Sequence, residues 1–345
     1  AQIQDKIDET PEKKNYDDYA ELADALYDEK VDCIIADQSY LGVLETNHES
    51  FSDETRVIYK MEVQEKIEAV TTKTDVTENP FIIYLTGIDT YGSVSTISRA
   101  DVNLVVCVNP IEKQVLLVSV PRDTQVNLNR NGKMDKITHS AMYGINETIL
   151  TLEDFLDLKV NYYAKTNFSG ITNIIDALGG VEVESPYKFT TLHGNYEIKK
   201  GVNEMDGDKA LCFVRERYAL PGGDFDRGKN QQRLLMAMLK KAMSPKIITN
   251  YNNILAAVEG SFETDMTSDD IKSLVNMQLD DMADWDIFNV QVTGEGKISY
   301  DMYSQKGKKT YITVPDKKVL NKIIKVIDKI EAGEKLTESD VKGLN

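Results

Sequence analysis

Cysteine, histidine and tryptophan are nearly absent from this chain: its 345 residues hold three, three and one of them. Cys33, Cys107 and Cys212 follow no metal-ligand spacing, and an odd number excludes complete internal pairing. Each sits among apolar, β-branched neighbours (VDCII, LVVCV, ALCFV), which predicts three buried free thiols. No run approaches the roughly 20 apolar residues of a membrane span, and AQIQDKIDET has neither the basic start nor the apolar stretch of a signal peptide. Positive charge is also short. Forty Lys and Arg face 57 Asp and Glu, a formal net charge of −17. A broad nucleic-acid interface needs a basic face to neutralise phosphates, so no nucleic-acid partner is expected.

Arginine is the scarcest charged residue, with eight in the chain, and four of them lie in RERYALPGGDFDRGKNQQRL, residues 215–234. A planar guanidinium recognises phosphate or carboxylate bidentately, whereas lysine acts as a point charge. This clustering in an acidic chain points to a compact anionic ligand.

Charge also divides the chain. Residues 1–78 carry 21 acidic against 8 basic residues, a net of −13, and the remainder 36 against 32, a net of −4. Periodicity over 1–78 predicts a helix at 12–30, a strand at 31–36, a short helix near SYLGVLE and a strand over 55–63, together a small α/β accessory domain. TTKTDVTENP reads as a linker ending before Pro80, which places the second domain at 79–345. There, strands are predicted at 81–88, 102–108 and 114–120, adjacent and antiparallel. Helices are predicted at 145–157, 168–178, 206–214, 228–243, 247–260, 267–282 and 315–331, with a further strand at 288–294. This pattern implies a layered α/β fold with a mixed, largely antiparallel central sheet.

If the first three strands run up, down and up, Asp89, Arg99, Asp101 and Arg122 emerge at one end of the sheet. Two neighbouring carboxylates repel unless a cation lies between them, so Asp89 and Asp101 point to a divalent ion. Magnesium suits a site with one or two carboxylates completed by substrate phosphates and water. The spacing equally allows Asp89 to cap its loop, Asp101 to pair with Arg99 at the surface, and Arg122 to be an ordinary turn residue. Arg215 and Arg217 follow the helix at 206–214. A helix starting near Asp226 would carry Arg227 and Gln231, four apart, on one face, where N-terminal amides favour a phosphate. A solvated loop before a capped amphipathic helix is the plainer alternative.

Taken in order, these residues resemble the LytR-CpsA-Psr family of cell-wall proteins. The shared pattern comprises Gly87-Ile88-Asp89, Arg99-Ala100-Asp101 and Val120-Pro121-Arg122-Asp123, then the lysine-centred segment 133–144, Phe168 to Val181 with its Leu-Gly-Gly-Val ending, Gly207 to Arg217, and Asp224, Arg227, Gln231 and Gln232. Asn230 stands where many members have a second arginine, and Asp226 where glycine is frequent. Residues 1–78 resemble the accessory domain that some members carry.

The resemblance implies Mg-assisted transfer of a glycan, capsular polysaccharide or teichoic acid, from a polyprenyl diphosphate carrier to peptidoglycan outside the cytoplasmic membrane. It also implies a membrane helix upstream of Ala1. By matching position, Asp89 and Asp101 would hold the metal, and Arg99, Arg122, Arg215, Arg217, Arg227 and Gln231 the diphosphate, with Lys136 beside them. Arg122 and Asp101 would be catalytic, and His139 structural. A polyprenyl tail forfeits about 0.8 kcal/mol for each CH₂ left in water, so an apolar tunnel is expected along helices 145–157, 168–178 and 228–243, whose stripes could also be plain core. A diphosphate hydrolase and a noncatalytic polyprenyl-phosphate binder or sensor are the competing functional readings.

Overall fold

A computed structural model describes residues 12–16, 19–36, 41, 44, 45, 48, 50–59, 70–88, 94, 97–248 and 250–344. Asp89, most of the segment SYLGVLE and part of the predicted strand 55–63 lie outside them. The chain forms two compact units, 1–63 and 64–345. The division precedes the linker-like stretch because 70–79 packs on the larger unit. Val76 is buried, Thr72 N–H donates to the Val160 carbonyl at 3.1 Å, and Tyr162 Oη donates to the Thr74 carbonyl at 2.8 Å.

In the smaller unit the helix spans Tyr19–Tyr27, and residues 12–16 are not helical. Ala23, Leu44 and Phe51 form its core, and Tyr27 stacks on His48 at 3.9 Å. The stretch 31–36 is irregular and Cys33 is exposed. That corrects the reading of three buried thiols: Cys107 is buried and Cys212 only partly so. Apolar composition without a facing partner strand does not bury a side chain.

The larger unit is built on strands β1 (Phe81–Ile88), β2 (Ala100–Asn109), β3 (Gln114–Ser119), β4 (Tyr162–Thr166), β5 (Phe262–Thr264) and β6 (Asp286–Gln291). They form one mixed sheet in the order β5-β4-β1-β2-β3-β6. β1–β2, β2–β3 and β4–β5 pair antiparallel, and β1–β4 and β3–β6 parallel. The expected meander of β1 to β3 is present. Its β2–β3 turn closes on Asn109, whose Oδ1 accepts from the N–H groups of Ile111 and Glu112 at 3.1 Å each.

Strand alternation gives the sheet two apolar faces. On one, Ile82, Tyr84, Val105, Cys107, Leu116 and Val118 are at most 1% exposed, and helices α1 (Ile145–Leu156) and α5 (Lys317–Glu331) close over them. On the other, Phe81, Val106, Leu117 and Tyr162 meet Leu235, Met236 and Leu239 of α4 (Asp224–Ala242), with Ile83 and Leu85 partly exposed. A second apolar cluster joins α2 (Phe168–Ala177), α3 (Gly207–Arg215) and α4 through Ile175, Ala210, Phe213 and Leu234. Helix α1 therefore does not line a tunnel. Its Ile149, Leu152 and Leu156 are fully buried in the core of the opposite face.

Two consequences can be measured. A Cβ on Gly207 would lie 2.7 Å from Thr172 Cα, so α3 packs on α2 because it begins with glycine. Gly207→Ala is expected to lower stability by about 1–3 kcal/mol, the usual cost of overpacking, read as an earlier denaturant midpoint. At the end of α5, burial and the charges of Asp328 and Asp157 raise the Glu331 carboxyl from 4.5 to about 7. The native state then binds the extra proton, so stability falls as pH rises from 4.5 through 7. Glu331→Gln is expected to add about 1–2 kcal/mol at pH 8, discounted for partial solvent screening, and nothing at pH 4.

Candidate active site

The site forms where β1 and β3 end and β2 begins, as the up-down-up reading requires. Directly after β3, Pro121 and Arg122 turn the chain, and the Thr138 N–H donates to the Arg122 carbonyl at 3.1 Å, holding that turn. Arg122 Nη1 donates to Asp101 Oδ1 at 2.6 Å, and its Nε lies 3.9 Å from Asp123 Oδ1. Asp123 Oδ1 in turn accepts from Lys136 Nζ at 2.8 Å. The side chains of Arg122, Asp101, Asp123 and Lys136 are 18%, 17%, 16% and 10% exposed, so these charges interact with little solvent screening. Burial works against the Arg122 cation, but Asp101, Asp123 and Asp224 outweigh it and hold its pKa above the ordinary value. Its Nε–H is buried without a hydrogen-bond acceptor.

Helix α4 supplies the other wall. It starts at Asp224, two residues before the expected position, because Gly223 takes φ +55 at the cap and Asp226 Oδ2 accepts from the Gly222 N–H at 2.8 Å. Arg227 Nη2 lies 2.8 Å from Asp224 Oδ1 but off the hydrogen-bonding direction, which leaves that buried oxygen without a donor. Burial pushes the Asp224 carboxyl up, and nearby Asp123 adds to the rise.

A narrow crevice bounded by Asp101, Arg122, Asp224, Arg227, Gly228 and Gln231 opens beside a cavity of about 510 Å³. Asp123, Lys136, Arg217, Tyr218, Phe225, Tyr311 and Thr313 line this larger space, and Arg122 and Asp224 face both.

Glu216 divides the two arginines that flank it. It is 3% exposed, Oε1 accepts from the N–H groups of Arg217, Tyr218 and Ala219, and Oε2 accepts from Leu192 N–H. Burial raises a carboxyl, yet these four donors hold it below the usual range. The turn they fix sends Arg217 to the cavity and Arg215 the other way, with its Cζ 4.1 Å from the Phe168 ring centre.

Of the residues read from sequence, Asp101, Arg122, Lys136, Arg217, Arg227 and Gln231 therefore converge. Arg215 stacks on Phe168 and lines neither space. Arg99 does not pair with Asp101, whose Oδ1 is held by Arg122; its charge acts on buried His139. Asp89 lies outside the described residues. Sequence reading gave no role to Asp123, Glu216, Tyr218, Tyr311 or Thr313. Asp123 and Glu216 carry a signal, since each is an acid beside an arginine of the cluster; Tyr311 and Thr313 come from a hairpin that alternation did not reveal.

His139, read as structural, is 1% exposed and lines neither space. Its Nδ1 is 2.6 Å from Asp135 Oδ1 and 2.7 Å from Ser304 Oγ, and Ser304 N–H donates to Asp135 Oδ2 at 2.9 Å. Burial foremost, then the positive charges of Lys136 and Arg99, holds His139 below its ordinary pKa against the pull of Asp135.

Comparison with known proteins gives the chain's relatives. The sequence model described as the LytR_cpsA_psr family matches residues 44–321. A polyisoprenyl-teichoic acid–peptidoglycan teichoic acid transferase of Enterococcus faecalis is 36% identical over 200 residues, covering 57% of this chain and 65% of that protein. Its namesake from Bacillus cereus is 34% identical over 223 residues, covering 64% and 72%. The chain thus spans about two thirds of the length of these curated relatives. The crystal structure of B. subtilis TagV superposes with a TM-score of 0.63 at 26% identity, covering 75% of this chain and 99% of that one.

Proposed function

Because the chain belongs to the LytR-CpsA-Psr family, we propose that it is a phosphotransferase that moves a polyprenyl-diphosphate-linked glycan onto peptidoglycan. The observation that carries the proposal is the convergence of Arg122, Lys136, Arg217 and Arg227 on two adjoining spaces in a chain of net charge −17. A diphosphate is the anion such a set suits: charge-assisted hydrogen bonds contribute about 1.5–3 kcal/mol each, and guanidinium forks match phosphate oxygens. The relatives' names specify teichoic acid; for this chain the glycan is either teichoic acid or capsular polysaccharide.

In this reading a peptidoglycan hydroxyl attacks the sugar-side phosphorus. The bond from that phosphorus to the bridging oxygen breaks, polyprenyl monophosphate leaves carrying the proton given up by the hydroxyl, and a phosphodiester joins glycan to wall. The Arg122 guanidinium stabilises charge developing on the transferred and leaving phosphates. Asp101 orients Arg122 through the 2.6 Å bond. Along α4, Leu235 and Leu239 follow Gln231 by one and two turns and stay partly exposed against Ile83 and Leu85. The lipid tail would lie along this half-open apolar layer, on the crevice side of Arg122.

Magnesium belongs to the same proposal. Asp101, beside Arg122 at the crevice, would hold the ion together with Asp89, with substrate phosphate and water completing the shell. When bound it would disperse charge on the diphosphate. No described helix is long and apolar enough to cross a membrane; attachment at the outer face of the cytoplasmic membrane, through a helix upstream of Ala1, is part of the proposal.

The test supplies a labelled polyprenyl-diphosphate glycan with and without peptidoglycan. Label entering peptidoglycan through a phosphodiester, with release of polyprenyl monophosphate, is the expected result. Phosphate release indifferent to peptidoglycan would identify a hydrolase, and lipid binding without turnover a binder.

A further inference from the structure

The larger cavity has a further wall, without cations. Strands β7 (Gly294–Ser299) and β8 (Thr310–Pro315) form a hairpin docked against the site. Thr313 N–H donates to the Asp123 carbonyl at 2.8 Å, and Ser304, in the connection, is held by Asp135 and His139. The hairpin brings Tyr311 to the cavity that Arg122, Lys136 and Tyr218 also line.

Tyr311 is 46% exposed, an aromatic surface costly to leave open to water, and Tyr218 is 72% exposed with the Arg217 guanidinium already over its ring, Cζ 4.6 Å from the centre. Tyr311 is also seated with care. A Cβ on Gly296, on the facing strand, would collide with the Tyr311 hydroxyl and lie 2.9 Å from its Cζ, so glycine leaves the ring its place. Gly296 has no left-handed backbone that would demand glycine for its own sake.

A cavity with cations on its floor and exposed aromatic faces at its mouth suits a ligand joining an anion to a flat, hydroxylated ring. The CH face of a pyranose packs on an aromatic ring while its hydroxyls remain in water. We propose that Tyr311 and Tyr218 form a sugar-binding subsite on the open side of Arg122. Tyr311 holds the ring next to the reacting phosphate, and Gly296 is the residue that positions Tyr311. This rests on the transfer reading above, in which lipid occupies the crevice side and leaves the larger cavity to saccharide. The ring belongs either to the donor glycan or to the peptidoglycan acceptor, and the kinetic arm below separates them.

The direct arm is saturation-transfer NMR of the whole chain with a lipid-free peptidoglycan disaccharide and, separately, a lipid-free glycosyl phosphate. The parent is expected to bind at least one of them, Tyr311→Ala about tenfold more weakly, Tyr311→Phe nearly as the parent, and Gly296→Ala several-fold more weakly because the displaced ring is still present. In turnover, a rise in KM confined to peptidoglycan assigns the ring to the acceptor, and a rise in donor KM assigns it to the donor. Absence of binding by the parent overturns the subsite. So do unchanged affinities and KM values in Tyr311→Ala and Tyr218→Ala while Arg122→Ala is inactive, an outcome that leaves the transfer reading standing. If the parent turns over no donor, the transfer reading fails, and the Tyr311 dependence of disaccharide binding still decides the subsite.

Discussion

Arg122→Ala is expected to lower kcat/KM for glycan transfer by about 10²–10³-fold, the usual effect of removing one preorganised donor from a transition-state charge, with the fold retained. Three features of its surroundings set this size. The guanidinium lines both the crevice and the cavity, whereas Arg227 lines only the first and Lys136 and Arg217 only the second. The Arg122 Nε–H is buried without an acceptor, 3.9 Å from Asp123 Oδ1, so the guanidinium holds its charge among carboxylates with little shielding by water. Its Nη1 bond to Asp101 fixes the plane of the fork before substrate arrives, so little reorganisation accompanies the reaction. Without Arg122, the carboxylates of Asp101, Asp123 and Asp224 repel the substrate they had helped to organise around the cation. KM should therefore rise as well as kcat fall. Arg122→Lys restores charge without the fork and should recover only a small part of the rate. Thermal unfolding within a few degrees of the parent certifies the comparison. A rate within threefold of the parent in the alanine variant would remove Arg122 from the centre of the mechanism.

The parts of the site legible in the sequence were those carried by strong, local periodicity. The runs FIIYLTGI, VNLVVCV and QVLLVSV are strongly apolar and largely buried, only FIIYLTGI staying partly open on one face, and their adjacency follows from short connections, so convergence of Asp101 with Arg122 could be expected from strand direction alone. Direction within a loop was not legible. Arg215 and Arg217 are two apart and read as equivalent, yet Glu216, by accepting four backbone N–H groups, turns one onto Phe168 and the other into the cavity. Strand β4 was missed because NYYAKT carries Lys165 and no apolar run, although Lys165 is only 8% exposed. The helix ILTLEDFL has the same apolar stripe whether it faces lipid or sheet. Only the pairing of α1 with α5 over one sheet face decides that it is core.

The hairpin wall gives the second large effect. Asp135 is fully buried, and its carboxylate accepts from the Lys136 N–H at 2.8 Å, the Ser304 N–H at 2.9 Å and, with His139 neutral, the His139 Nδ1–H at 2.6 Å. Burial alone would raise its pKa, but the bonds from His139 and Ser304 hold it below the usual carboxylate range. Asp135→Ala leaves three donors without this acceptor at a cost of about 1–3 kcal/mol each when buried. Allowing for relaxation, the loss should be about 3–5 kcal/mol, or roughly 6–15 °C in Tm for a unit of this size. Asp135→Asn keeps an acceptor oxygen and should lose less.

The pH dependence has a definite sign. The native state resists protonating His139, so stability present above about pH 6.5 is lost as pH falls below it. The Asp135 contribution is lost later, as pH drops through its depressed native value. Glu331 acts in the opposite direction between 4.5 and about 7, so this acid limb should be cleanest in a Glu331→Gln background. Because Ser304 is tied to Asp135 between the two strands that carry Gly296 and Tyr311, hydrogen exchange in 294–315 should accelerate in Asp135→Ala before global unfolding. Exchange there that matches the rest of the unit would mean that Thr313, through the Asp123 carbonyl, holds the hairpin by itself.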